Sequence, residues 1–150
     1  MDMNLILTTK ERTWDRLGIF VMEKVLIEKV PETKEGLKAK WWEEERGEFA
    51  QIAYNEEMRH LAILEIKKGF TRGSHYHERK EEILYVVQGK MEARFIDMDT
   101  HRRKESILVK GDKIWIKPRC GHLFQALEDT LVVEYSPHVY EMEDNYRIDF

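Results

Sequence analysis

Two histidines one residue apart, His75 and His77, are followed by Glu82 and by an apolar run that ends at Gly89. On a β-strand, side chains at i and i+2 share a face, so this spacing aims both imidazoles at one point. A carboxylate on the next strand can close on the same point. Imidazoles with a carboxylate suit a divalent transition metal. A second segment, Gly111 through Pro118 to His122, reads as glycine turn, strand, proline turn and histidine. In a small closed barrel His122 would come back beside the first pair, and His75, His77, Glu82 and His122 would converge. Three imidazoles and one carboxylate leave room for water or substrate on the metal, which is what separates a catalytic site from a closed structural one. One divalent ion is therefore expected as cofactor, and iron, manganese, nickel, zinc and copper all accept this donor set.

The elements that must position these residues are short strands. Residues 59–66, 82–87, 91–96, 107–109, 113–116, 123–126 and 131–135 are apolar or alternating runs, separated by glycine, proline and polar turns. That spacing predicts an all-β sandwich or barrel. Residues 37–43 and 49–54 add earlier strands. Residues 19–30 tolerate a helical reading, but their β-branched content favours a strand. Only residues 9–17 and the acidic tail after Pro137 are open to helix or irregular structure.

Composition narrows the function classes. The 150 residues suffice for one domain with a core, and 1–150 is expected to be a single unit. Charged residues make up 36% of the chain, while Asn and Gln number three each, a pattern that points to a thermophilic source. Net charge is −4, with no basic face, which argues against nucleic acid as a partner. The single cysteine, Cys120, allows no disulfide within the chain, and fits a reducing cytosol. No apolar run approaches the roughly 20 residues that span a bilayer, and the first residues lack the pattern of a signal peptide. A cytoplasmic protein without membrane contact is expected.

The residues around the histidines resemble the cupins, small double-stranded β-helix (jelly-roll) barrels with two short motifs. The first cupin motif runs glycine, five residues, His-x-His, three or four residues, Glu, six residues, glycine. Gly69, His75, His77, Glu82 and Gly89 match it in full. The six-residue gap to Gly89 selects Glu82 over its neighbour Glu81. The second motif resembles Gly111 to His122, with two departures: the turn is Pro118-Arg119-Cys120-Gly121, and an expected asparagine is Ala126. The motifs cover about 58–137, leaving 1–57 as an extension with extra N-terminal strands. The resemblance implies His75, His77, Glu82 and His122 as metal ligands.

A further resemblance joins Glu45 to Phe49 and Thr71 to His77 to the cupins that act on nucleotide-linked sugars in polysaccharide synthesis. That group includes 3,5-epimerases and 3,4-ketoisomerases, which move protons next to a carbonyl, often with histidine as base and without a metal. The leading expectation is a metal-binding isomerase or epimerase of a carbohydrate, possibly nucleotide-linked, with Glu134 as candidate base. Arg72 and Arg119 flank the histidine-bearing turns and are candidates to clamp a carboxylate or phosphate of the substrate. Tyr54, Trp115 and Phe124 either line the barrel mouth as substrate contacts or fill the core. The alternatives are a mononuclear non-haem dioxygenase using the same four ligands, and a non-catalytic sugar-binding module. Trp41-Trp42 is candidate interface material, and a homodimer is the expected assembly.

Overall fold

A computed structural model describes residues 13–14 and 20–150. Most of the expectation for residues 9–17 lies outside the described residues; within it, Thr13–Trp14 is a strand. The chain builds β1 (Thr13–Trp14), β2 (Phe20–Met22), β3 (Val25–Lys29), β4 (Lys40–Glu44), β5 (Gly47–Gln51), β6 (His60–Ile66) and β7 (Thr71–Tyr76). It continues through β8 (Glu82–Gln88), β9 (Lys90–Asp97), β10 (Arg103–Val109), β11 (Asp112–Ile116), β12 (Cys120–Ala126), β13 (Thr130–Ser136) and β14 (Tyr146–Arg147). A short 3-10 turn, Met142–Asp144, precedes β14. No helix of the described residues is long and apolar enough to cross a membrane.

Two antiparallel sheets face each other. One runs β1-β2-β3-β11-β8-β13-β6 and the other β10-β9-β12-β7-β14. This is the all-β architecture that the strand spacing predicts, in the two-sheet jelly-roll form that the cupin resemblance implies. The reason is visible in β9, where Met91, Ala93 and Phe95 are buried while Glu92 and Arg94 between them are less so. The period of two turns one face of each sheet inward. Leu84, Val86, Ile114, Ile116 and Val132 from the first sheet meet Met91, Ala93, Phe95, Phe124 and Ala126 from the second, and form the core.

The strand β8 is buried on both faces, because the segment before β6 folds over the outside of the first sheet. Glu56 in that segment accepts a hydrogen bond from Tyr135 Oη at 2.6 Å and pairs with Lys113 Nζ at 2.8 Å. The β4–β5 hairpin is tied down by Trp41 Nε1, which donates to the Val30 carbonyl at 3.1 Å. Trp42 stacks on Phe49 with ring centres 4.3 Å apart. Both tryptophans are thus half-buried by contacts within the chain.

Candidate active site

The first motif becomes a strand with a fault in it. Pairing of β12 with β7 aligns His122 with His75, then slips by one residue so that Leu123 faces Gly73. Ser74 is the extra residue, at φ 63°, beside Gly73 at φ 101°. A bulge of this kind bends the strand and re-aims the side chains that follow. A Cβ on Gly73 would sit 2.6 Å from the His122 carbonyl oxygen, so only glycine lets β7 approach β12 here. The bulge delivers His75 against His77 and His122. Its ring centre lies 4.9 Å from that of His77 and 4.8 Å from that of His122.

Glu82, the first residue of β8, sits at the centre of a closed network. Its Oε1 accepts from His77 Nε2 at 3.0 Å and from Lys80 Nζ at 3.2 Å. Its Oε2 lies 2.9 Å from His122 Nε2. Burial favours the neutral acid, but His122, His77 and Lys80 together overcome it and hold the carboxyl well below its usual range. His77 feels burial against it too, yet its bonds to Glu82 and to the Asp144 carbonyl raise its pKa. The Asp144 carboxylate also accepts the backbone N–H groups of Glu78, Arg79 and Lys80, at 2.8, 3.2 and 3.0 Å. The 3-10 turn therefore fixes the loop that carries His77 and Lys80.

Beside this network opens a cavity of about 420 Å³. His75, Glu82, His122, Phe124 and Glu134 line it, with Arg72 and Arg147 among the charged groups. His75 belongs to β7 and Glu134 to β13, so the two come from opposite sheets. Burial, then the neighbouring His122, pushes the His75 pKa down to about 4 and keeps the ring neutral at pH 7. Burial, then the Glu82 charge, pushes Glu134 up to about 7. A carboxyl poised near neutrality can both take and give a proton.

Some expected contacts lie elsewhere. Arg119 is held by Glu78 at 2.6 Å and Asp99 at 2.8 Å, away from the cavity lining. Trp115 alternates with the core residues Ile114 and Ile116, so it faces outward, where Lys113 Nζ lies 4.4 Å from its ring. Tyr54 is exposed between β5 and β6. Arg72 and Phe124 do line the cavity. Sequence reasoning missed Arg147, which a two-residue strand brings opposite His75, and Lys80, which sits in a run that reads as solvated charge.

The fold is shared with nucleotide-sugar enzymes. A dTDP-4-dehydrorhamnose 3,5-epimerase from Sulfolobus tokodaii superposes with a TM-score of 0.71 at 20% identity, over 87% of this chain and 80% of that one. A dTDP-6-deoxy-D-glucose-3,5-epimerase from Legionella pneumophila, in complex with dTDP-4-keto-L-rhamnose, gives 0.70 at 17% identity over 88% and 77%. A 3,4-ketoisomerase from Thermoanaerobacterium thermosaccharolyticum, in complex with TDP-4-keto-6-deoxyglucose, gives 0.67 at 16% over 85% and 89%. These likenesses establish the cupin-type fold expected from the motifs. No curated protein matches the sequence.

The expectation of a divalent metal cofactor is corrected. The donor atoms of His75, His77, Glu82 and His122 do lie within 4.8 Å of one another. However, both Glu82 oxygens are already engaged, and a buried ammonium supplies the positive charge an ion would bring. The similar solved structures are epimerases and ketoisomerases, whose reactions are proton transfers that a base and an acid can carry. The dioxygenase alternative depended on that ion and loses its support with it. By sequence, residues 42–133, well over half of the chain, match one described family. This chain belongs to the polysaccharide biosynthesis C-terminal domain family.

Proposed function

We propose that this protein is an isomerase or epimerase of a nucleotide-linked keto sugar, moving a proton at the carbon beside the carbonyl. The observation that carries this reading is the pair of titratable groups on opposite walls of one cavity, His75 from β7 and Glu134 from β13. Removal of a C–H proton by one group leaves an enolate. Return of a proton to the other face of the same carbon inverts it; return to the former carbonyl carbon, with the hydroxyl proton passing from the first carbon's oxygen to the other oxygen, moves the carbonyl. Ionised Glu134 suits the base, because its pKa lies near neutrality. Neutral His75 suits the group that donates its ring N–H as a hydrogen bond to the developing oxyanion. The Glu82 network keeps the histidine wall rigid.

Arg72 and Arg147 border the same cavity, and guanidinium groups suit the diphosphate of a sugar nucleotide. Phe124 offers an apolar wall. A homodimer is part of this reading. The test is conversion of TDP-4-keto-6-deoxyglucose followed by NMR, with wild type, His75→Asn and Glu134→Gln. Turnover by wild type and its loss in both variants supports the reading. Tight binding of the sugar nucleotide with no turnover by wild type would favour the sugar-binding module instead.

A further inference from the structure

A second hollow, of about 270 Å³, adjoins the cavity. The two share Thr71 and Arg72 in their walls. The rest of the second hollow comes from the end of β6 and the turn that leads into β7: Glu65, Ile66, Lys67 and Phe70. The proton transfer at His75 and Glu134 makes no use of it.

The turn holds an aromatic ring out in water. Phe70 is 69% exposed, although burial of a phenyl ring is favourable. Its backbone is fixed on both sides. Phe70 N donates to the Lys67 carbonyl at 2.9 Å, and the Phe70 carbonyl accepts from Ala126 N at 3.0 Å. Gly69, at φ 85°, supplies the left-handed residue that this turn requires. Its N–H donates to the Ala126 carbonyl at 2.8 Å, and Lys68 N donates to the Asp129 carboxylate at 2.9 Å. The ring therefore stands on a turn fastened to the end of β12 and to the loop that follows it. Buried Ile66 lines the same hollow. A fixed aromatic face beside a cationic group is a platform on which a nucleobase stacks.

Arg72 connects the two hollows. Its Nε donates to the Glu65 carbonyl at 3.2 Å, which leaves its two Nη groups for a ligand. A sugar nucleotide runs in the order sugar, diphosphate, ribose, base. With its sugar between His75 and Glu134 and its diphosphate at Arg72, the remainder extends toward Phe70. We propose that the nucleoside of the substrate lies in the second hollow, its base stacked on the Phe70 ring; this rests on the cavity being a sugar-nucleotide site. Phe70 then contributes to binding and takes no part in the chemistry. Stacking uses the flat face that every base has, so the ring favours nucleotides over simple phosphates without selecting one base.

The experiment is titration calorimetry of the full chain with TDP and, separately, with inorganic pyrophosphate. Wild type should bind TDP more tightly than pyrophosphate. Phe70→Ala, at an exposed position whose backbone bonds alanine keeps, should weaken TDP binding about tenfold and leave pyrophosphate binding unchanged. Phe70→Trp should keep the wild-type affinity, and Arg72→Ala should weaken both probes. In turnover of TDP-4-keto-6-deoxyglucose, Phe70→Ala should raise KM by about the same factor with kcat unchanged. Unchanged TDP affinity in Phe70→Ala overturns the proposal and leaves the proton transfer at His75 and Glu134 standing. So does an equal loss of affinity for TDP and pyrophosphate. TDP binding that depends on Phe70, without turnover, supports the nucleoside site and contradicts the isomerase reading. A wild type that binds neither probe contradicts both.

Discussion

Lys80 Nζ lies 3.2 Å from Glu82 Oε1, and each side chain is only 4% exposed. This buried ion pair, rather than a metal, neutralises the carboxylate that organises the histidines. Removing one member of such a pair leaves the other charge uncompensated. Lys80→Met is therefore expected to cost about 3 kcal/mol in urea unfolding. Wild type dialysed against a chelator should keep its Tm and its turnover unchanged. A Tm drop on chelation would restore the ion to the account.

Glu134 gives the pH dependence its sign. In the proposed reaction it is the base and must lose its proton, so kcat/KM should rise with pH through about 7 and then level. Glu134→Gln should abolish that limb and lower the rate by roughly 100-fold or more. The same residue leaves a mark on stability. Its folded pKa lies above its unfolded value, so its contribution is fully present below about 4.5 and is lost as pH rises through about 7. Relative to Glu134→Gln, wild type should lose on the order of 3 kcal/mol between pH 4 and pH 8. His75 works the other way, its stability contribution fading as pH falls from 6.5 toward 4. Comparing wild type with the variant cancels that opposing term. A flat difference between the two proteins contradicts the Glu134 assignment.

Asp144 binds three successive backbone N–H groups with its carboxylate. Asp144→Ala leaves those donors, the buried Lys80 N–H among them, without their acceptor. The expected cost is about 2–3 kcal/mol, with a fall in kcat larger than any change in KM, because His77 and Lys80 lose their common support. Thermal melts and steady-state kinetics of the variant check both parts.

Gly73 is the hinge of the histidine strand. Gly73→Ala puts a methyl group against the His122 carbonyl in a backbone conformation that alanine resists. The variant should lose roughly 2 kcal/mol or more and should separate β7 from β12, which amide exchange on those strands would register. Gly36, with open space around it at φ 79°, is the control, since an alanine there bears only the backbone strain.

Much of this was legible in the sequence. The His75, His77, Glu82 and His122 spacing finds its geometric counterpart because Gly73 bends the strand before His75, the Pro118 turn leads into His122, and Asp144 fixes the loop between His77 and Glu82. Strand boundaries moved mainly at polar ends. Residues 97–104 read as a connection, yet β10 begins at Arg103, since an edge strand can hold its ladder with charged side chains. Trp115 shows what was hidden. It lies in an apolar strand, but β8 and β11 are covered on both sides, so an unbroken apolar run does not reveal which residues face the barrel. Arg147 had no signal at all, because a two-residue strand carries no periodicity.

The central proposal is reversible removal of a substrate proton by Glu134, with His75 holding the developing oxyanion. Solvent exchange measures it directly: TDP-4-keto-6-deoxyglucose incubated with the enzyme in deuterium oxide and followed by proton NMR. The account predicts that wild type replaces the C–H proton beside the carbonyl with deuterium, and that His75→Asn and Glu134→Gln slow this by roughly 100-fold or more while still binding the sugar nucleotide. Product formed with no deuterium at that carbon, or exchange unaffected by both substitutions, would contradict it.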